Sequence, residues 1–299
     1  MKSFNDIKNG DRTEALRKTL DRLASDLITN PLKLLEFSDN WRNGFHHYSF
    51  NNLLLIWVQD PKSTICAGYK TWARNKRNVK KGAKALWVLA PRFTKRTYVV
   101  EDPETGEEEE RENQRLTGFF NVGVFDISQT EGEPLDIGAN KAKFNGTKWT
   151  PEELSEAFPE YELMREDALS DGSTNGTYIK VSNRKNKAQE ACAYLHEVAH
   201  NVLGHIKKDG SQNLLQLSRE TQELEAESTA FLVASILGIE NKGAALYISN
   251  WHGDKKGIEN SALKMLTAAE NMVNKIAGIK KRDRQEYDKP AQEISNEQK

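Results

Sequence analysis

The sequence predicts an α+β protein that consists of two parts. The first part reads as helical with a small antiparallel sheet, because apolar residues recur at helical spacing between residues 16 and 58 and β-rich runs follow between 86 and 125. The second part reads as mostly helical. The net charge is +11 over residues 1–100 and −12 over the remainder, which also indicates two modules. We expect domains at 1–128 and 151–280, a linker at 129–150 and a disordered tail at 281–299.

The first part should begin with three helices. Leucines recur at helical spacing from Leu16 to Leu27, which places them on one apolar face. Pro31 suits the first position of a second helix, and residues 48–58 read as a third. The order of these segments places the helices before the sheet.

Three runs predict the antiparallel sheet: Leu86–Pro91, Thr97–Val100 and Phe119–Phe125. An acidic insert, Glu101–Glu112, lies between the last two runs. It is either a solvated hairpin tip or a flap that competes with nucleic acid for basic residues.

Residues 61–100, which we call the basic segment, hold eleven Lys and Arg and no Asp or Glu. Aromatic residues are interleaved with these charges. Cations neutralise phosphates and flat rings stack on unpaired bases, so this mixture is typical of single-stranded nucleic-acid binding, with an ordinary solvated surface as the alternative. Trp87 sits in an apolar run and is expected in the core. We assign base stacking to Tyr69 and Trp72, and phosphate contacts to Lys70, Arg77, Lys80, Lys81 and Lys84.

The most specific pattern in the second part is His196, Glu197 and His200, within a run of helix-forming residues. Residues four apart lie on the same helix face, so both imidazoles can reach one metal ion. Glu197 is then placed to act as a general base on water, which is the arrangement of a zinc hydrolase. A strand at 177–181 precedes this helix, and we expect it to edge the substrate cleft.

A second acidic helix should supply the third metal ligand. Glu220 and Glu223 are explained by favourable interaction with the helix N-terminus. Glu225 and Glu227 have small and apolar neighbours instead, and a buried carboxylate needs a partner such as a metal. Glu-Ala followed by small residues resembles the second metal helix of gluzincin peptidases, which implies a minimal, gluzincin-like zincin domain with Glu225 as the third Zn²⁺ ligand and Glu227 as the second choice.

His205 offers a different interpretation, because metzincins carry a third histidine after the same motif. The spacing of Gly204 and His205 from His200 does not match that pattern. Gly204 is expected to end the helix, and His205 to be a surface residue or a neighbour of the ligands. Tyr247 and His252 are candidate oxyanion stabilisers.

The composition of the sequence indicates the cellular location of the protein. No charged and apolar leader opens the chain, and no apolar run approaches the roughly 18 residues of a membrane span. Two distant cysteines do not predict a disulfide framework. We expect a cytoplasmic protein without a membrane partner.

Taken in order, several segments resemble the ArdC-type antirestriction proteins of plasmids, phages and other mobile elements. These segments are residues 48–56, 68–72, 79–84, 90–91 and 124–130, followed by 196–205 and 223–227. The resemblance implies a single-stranded-DNA-binding domain joined to a zinc metallopeptidase domain that together protect incoming DNA from restriction. The acidic insert departs from this pattern. Two other functions remain open: a regulatory peptidase that cleaves a repressor or antitoxin, and a DNA-dependent protease that acts on DNA-bound proteins. The protein substrate is unknown in each case.

Overall fold

The computed structural model describes residues 3–28, 30–42, 48–101, 108–135, 149–184, 186–206, 217–239 and 255–278. Several predictions fall outside these residues. They concern most of the linker, residues 102–107 of the acidic insert, Tyr247, His252 and the tail at 281–299.

The predicted N-terminal helices are confirmed as α1 (Asn9–Ile28), α2 (Pro31–Arg42) and α3 (Phe50–Gln59). Leu16, Leu20 and Leu27 are buried, as their spacing requires. The hydroxyl of Ser49 accepts a hydrogen bond from the Asn52 N–H at 3.3 Å and so caps α3. Helical periodicity is therefore enough to specify this part of the fold.

A long hairpin replaces the three predicted β-runs. The first two runs form one strand, β3 (Leu86–Glu101), which pairs antiparallel with β4 (Glu108–Asp126). The register shifts between Arg92 and Phe93, within the stretch 92–96 that separates the two predicted runs. Much of the acidic insert is thus strand, and the prediction that the whole of it forms a tip is wrong.

Short elements flank the base of the hairpin. They are β1 (Cys66–Ala67), α4 (Tyr69–Arg74), β2 (Arg77–Val79) and β5 (Thr130–Gly132). β1 pairs with β4 to give the order β1-β4-β3, and β2 pairs antiparallel with β5. Strand pairing of the N-terminal part therefore continues to Gly132, into the segment expected to be a linker.

Two side-chain amides on α3 bind the edge of β3. Asn52 accepts from the Leu89 N–H and donates to the Leu89 carbonyl, each at 2.9 Å. Gln59 makes the same pair of contacts with Trp87, each at 2.9 Å. Each amide thus takes the place of one residue of a neighbouring strand and fixes the helix against the hairpin.

Among its described residues, the second part contains α5 (Pro151–Ser155), a small sheet and three long helices. The sheet comprises β6 (Glu162–Glu166), β7 (Gly172–Thr174) and β8 (Tyr178–Ser182), and the helices are α6 (Lys187–Val202), α7 (Arg219–Leu237) and α8 (Lys255–Ile276). The predicted strand before the metal helix is confirmed as β8. The expectation that it edges a cleft is wrong, because β8 is the central strand in the order β6-β8-β7.

One buried hydrophobic cluster includes residues from both parts of the chain. α1 and α3 pack on α8, and α2 packs on α7. The Phe50 N–H donates to Glu270 at 3.2 Å, which links α3 to α8. The α+β class is confirmed. None of the described helices combines the length and apolar character that crossing a membrane requires.

Candidate metal centre and DNA-binding residues

The histidine pair lies on α6, whose N-terminus is capped by the side chain of Asn186 through the Ala188 N–H at 3.0 Å. His196 and His200 stand one turn apart, as predicted. Their Nε2 atoms lie 3.0 Å from each other. Both rings therefore direct the same nitrogen toward one point beside α7.

The carboxylate that joins this pair is Glu223. Its Oε2 lies 3.3 Å from His196 Nε2 and 3.6 Å from His200 Nε2. His196, His200 and Glu223 form a group that can hold a metal ion among the described residues. From the sequence, Glu223 is explained by the helix N-terminus alone, because the sequence does not show that the first turn of α7 faces α6.

Glu225, the predicted third ligand, has a different partner. Its side chain is fully buried, as expected, and its Oε2 lies 2.9 Å from His205 Nε2. Helical geometry turns a residue two positions along by about 200°, so Glu225 cannot share the face of Glu223. The buried carboxylate of Glu225 does have a partner, and that partner is the imidazole of His205. The structure thus favours Glu223 over Glu225 as the third ligand.

His205 is 2% exposed, so the surface alternative is wrong. Its Nδ1 lies 2.9 Å from His200 Nδ1. His205 therefore contacts one of the two candidate ligands directly. Of the two expectations for this residue, the structure supports the second, a neighbour of the ligands.

Glu227 occupies the outer side of His196, one turn after Glu223 on α7. Its Oε2 lies 2.8 Å from His196 Nδ1. Because an ionised carboxylate only accepts hydrogen bonds, Nδ1 of His196 is the donor and its Nε2 is directed at Glu223 and His200. This is the carboxylate–histidine arrangement found behind many metal ligands.

The electrostatics of the cluster favour a positive charge. Burial disfavours the charged form of His196, yet hydrogen bonds with Glu223 and Glu227 raise its pKa to about 10. The imidazole of His196, with that of His200 beside it, holds the pKa of Glu223 well below its usual range. A cation at this point is therefore stabilised by the surrounding side chains.

The spacing of the three atoms also fits a metal ion. Zn²⁺ binds His nitrogen and carboxylate oxygen at about 2.0–2.2 Å, and tetrahedral geometry then places ligand atoms roughly 3.3–3.6 Å apart. The observed separations are 3.0, 3.3 and 3.6 Å. The two separations to the carboxylate lie in this range and the one between the imidazoles, 3.0 Å, is slightly shorter, and the donor set of two imidazoles and one carboxylate suits a divalent ion.

Glu197 is nearly buried, at 9% exposure. Burial raises its pKa to about 7, opposed by the charge of His196 and assisted by that of Glu223. Gly172 of β7 lies against it, since a Cβ at that position would stand 3.1 Å from Glu197 Cγ and Oε1. The glycine leaves room for the carboxylate, a role that nothing in the sequence pattern indicated.

A buried ion-pair network anchors the start of α6. Glu190 is 1% exposed and lies 2.7 Å from Arg165 and 3.0 Å from Lys187, and it accepts from the Arg184 N–H at 2.7 Å. These contacts outweigh the effect of burial and lower the pKa of Glu190 to about 2. They tie the metal helix to β6 and to the segment before it.

The two predicted stacking residues differ in exposure although both lie on α4. Tyr69 is 61% exposed. Trp72 is fully buried, and its indole Nε1 donates to the Phe125 carbonyl at 2.9 Å. Trp72 cannot stack on a base without leaving the core, so that prediction is wrong.

The residues predicted to contact phosphate fall into two groups, those that are simply exposed and those that bind other parts of the protein. Lys70, Lys81 and Lys84 are exposed. Lys80 is exposed, but its ammonium donates to the Ser128 carbonyl at 2.9 Å. Arg77 donates to Thr130 Oγ1 at 2.8 Å and to carbonyls of the β5 region, so its guanidinium helps to hold β2 against β5.

Comparison with known proteins identifies one of these regions. Residues 26–125 match the family described as the N-terminal domain of anti-restriction factor ArdC. An uncharacterized protein of Bacillus anthracis is 26% identical over 314 residues, covering 88% of this chain and 51% of the relative. The chain thus spans about half the length of that relative.

Two solved structures of the antirestriction protein ArdC from plasmid R388 are also similar. The metal-free structure is 20% identical, with 78% of this chain and 87% of that chain covered and a TM-score of 0.45. The Mn(II)-bound structure is 19% identical, with 78% and 86% covered and a TM-score of 0.43. Residues 26–125 are thus similar to the N-terminal domain of anti-restriction factor ArdC.

Proposed function

We propose that this protein protects DNA from restriction by binding single strands, and that its α6–α7 cluster holds a divalent metal for peptide hydrolysis. The antirestriction role is supported by the family match of residues 26–125. In this proposal, residues 1–128 bind DNA and residues 151–280 hold the metal, as the expected domains suggest.

One observation carries the metal site: His196 Nε2, His200 Nε2 and Glu223 Oε2 converge at 3.0–3.6 Å. Such a group of nitrogens and a carboxylate oxygen needs a proton or a metal ion in its midst. Two imidazoles with one carboxylate suit zinc, and the adjacent Glu197 is typical of catalytic zinc sites rather than structural ones, which usually have four protein ligands.

The residues around the cluster support a hydrolytic reaction. A metal ion bound there would polarise a peptide carbonyl and lower the pKa of water. Glu197 takes a proton from the attacking water, whose oxygen forms a bond to the carbonyl carbon. The carbon–nitrogen bond then breaks, and Glu197 returns the proton to the leaving amine.

Substrate placement is proposed along β7. This strand lies at an edge of the β6-β8-β7 sheet and contacts α6. Its Gly172 lies against Glu197. An extended peptide that paired with β7 would therefore run beside the carboxylate.

DNA binding is proposed for the exposed members of the basic segment. Tyr69 provides an exposed ring, and Lys70, Lys81 and Lys84 provide exposed cations. A basic surface with an exposed aromatic ring suits single strands of any sequence. The absence of a zinc-finger pattern or a clear helix-turn-helix in the sequence argues against major-groove reading.

The decisive experiment separates DNA coating from proteolysis. Unmodified single-stranded vector DNA is introduced into a restricting host that carries wild-type protein, Glu197→Gln or Tyr69→Ala. We expect Glu197→Gln to protect as well as wild type and Tyr69→Ala to protect less. If Glu197→Gln binds DNA and metal but fails to protect, proteolysis carries the function, and if wild type gives no protection the antirestriction role is refuted.

A further inference from the structure

The C-terminus of α6 folds His205 back onto His200. The His205 N–H donates to the His200 carbonyl at 2.9 Å, and the Gly204 N–H donates to the Asn201 carbonyl at 3.0 Å. Gly204 has a φ of +73°. This pair of bonds is a Schellman motif, which brings the residue after the glycine against the last helical turn. The contact in that motif is usually apolar, whereas here two imidazoles meet.

A chain of hydrogen bonds runs from α7 through this turn to the metal cluster. Glu225 Oε2 lies 2.9 Å from His205 Nε2, and His205 Nδ1 lies 2.9 Å from His200 Nδ1. The Lys264 ammonium of α8 lies 4.0 Å from the same Glu225 oxygen and supplies a positive charge to the buried carboxylate. Three helices thus contribute to one connected set of polar groups.

With both imidazoles neutral, the carboxylate of Glu225 sets the direction of each bond in this chain. A carboxylate only accepts, so the hydrogen on His205 lies on Nε2. A neutral imidazole carries one hydrogen, so His205 Nδ1 is an acceptor and His200 Nδ1 must donate to it. His200 then presents a lone pair on Nε2, the atom directed at His196 and Glu223.

We propose that Glu225 and His205 are positioning residues that hold His200 in the tautomer able to bind a metal through Nε2. The inference rests on the proposed metal site and deepens it. Glu225 thereby affects the metal without touching it, through two imidazoles in series. Ligand-orienting groups of this kind typically contribute about 10- to 100-fold in metal affinity.

The test compares wild type with His205→Asn and His205→Leu, two side chains of similar shape. Asn offers an Oδ1 near the position of His205 Nδ1, so it can still accept from His200, whereas Leu cannot. Long-range proton–nitrogen NMR on the metal-free proteins reports which nitrogen of His200 carries the hydrogen. Competition with a chelator reports the affinity for Zn²⁺.

We expect His200 to carry its hydrogen on Nδ1 in wild type and His205→Asn, and to lose that preference in His205→Leu. Zn²⁺ affinity should fall about 10- to 100-fold in His205→Leu and recover in His205→Asn. A hydrogen on His200 Nε2 in wild type overturns the proposal, as does equal Zn²⁺ affinity of the two variants.

The two readouts keep this inference separate from the proposed function. If wild type binds no Zn²⁺, the metal site is wrong, and the tautomer of the metal-free protein still decides the role of His205. If His205→Leu does not fold, the wild-type tautomer and His205→Asn provide the decision. Thermal unfolding of each metal-free variant shows whether folding is intact.

Discussion

The cluster around His196, His200 and Glu223 and the basic segment differ in how their charged side chains are exposed and paired. In the cluster, His200 and Glu225 are buried and Glu223 is half-buried, and each has a specific partner, as Glu225 has in His205. In the basic segment, Lys70 lies exposed on α4, and Lys81 and Lys84 lie exposed in the loop between β2 and β3. A buried charge depends strongly on its partner, whereas an exposed one contributes a small, salt-screened share.

This difference has a consequence for mutation. Single changes in the cluster should abolish binding or lower stability by several kcal/mol, because they leave a buried group without its partner. Single changes in the basic segment should weaken binding in increments, because many phosphate contacts add up. Five measurements test this contrast.

The largest effect is expected for metal binding. Glu223→Gln should weaken Zn²⁺ binding by more than about 100-fold, beyond the effect of a group that only orients a ligand. Competition with a chelator measures it. Glu220→Gln, an exposed acid in the same turn of α7, is the matched control and should leave affinity unchanged. Metal that remains bound after His196→Ala together with His200→Ala contradicts the site.

Trp72→Ala should lower the free energy of unfolding by about 3–5 kcal/mol, because it removes a fully buried indole and leaves a cavity. Urea unfolding measures the change. The neighbouring exposed variant Tyr69→Ala should stay near wild-type stability. Equal stability of the two variants would mean that Trp72 is not part of the core.

Glu190 gives the pH-dependent prediction. Its folded pKa is lowered from 4.5 to about 2, so its contribution to stability is present above pH 4.5 and is lost as pH falls toward 2. Glu190→Gln should lower the free energy of unfolding by about 3 kcal/mol at pH 7, with a smaller decrease at pH 3. Urea unfolding at both values measures it.

The matched control for this prediction is Glu152→Gln. Glu152 also pairs with Arg165, at 3.6 Å, but its side chain is 58% exposed. The change should stay within about 0.5 kcal/mol at either pH. A destabilisation by Glu190→Gln that does not change with pH would contradict the ionic role of the network.

Tyr69→Ala should weaken binding to a single-stranded oligonucleotide about 5- to 150-fold, the range that corresponds to roughly 1–3 kcal/mol for one stacked base. Fluorescence titration of the full chain measures it, with duplex DNA as the competitor. Retention of the ring in Tyr69→Phe should preserve most of the affinity. Duplex binding as tight as single-strand binding would refute the stacking proposal.

The smallest effect is expected for the exposed lysines. Lys81→Ala with Lys84→Ala should flatten the salt dependence of binding by about 0.7 log unit for each phosphate that the protein no longer neutralises. Titrations across a range of salt concentrations measure the slope. Lys18→Ala is the control, since Lys18 is exposed on α1 and pairs with Glu14 at 3.5 Å. An equal change in slope for the control would show that the contribution is not specific to the basic segment.

The sequence predicted those features that depend on local spacing. The periodicity of Leu16–Leu27, the proline at the start of α2 and the four-residue spacing of His196 and His200 each specify a helix face without reference to the rest of the chain. Such patterns are reliable because helix geometry is the same in every context.

The errors concern residues that meet across long separations in sequence. Glu223 and Glu225 are both acids near the start of α7, and only the packing of α7 on α6 and the turn after it decides which of them meets which histidine. Burial of Trp72 depends in the same way on β4, through the Phe125 carbonyl. Composition therefore indicated the kind of site, and tertiary packing selected its members.

The amides of Asn52 and Gln59 have a consequence for how separate copies of the protein meet. β3 is the outermost strand in the order β1-β4-β3, and such a strand invites another chain to add to it. Alternate residues direct their backbone groups to that side, so Trp87, Leu89 and Pro91 follow one another along it. The first two are bound by Gln59 and Asn52, and proline has no N–H to donate. The base of the hairpin is thereby protected from pairing with a strand of another copy, and from the aggregation that such pairing can start.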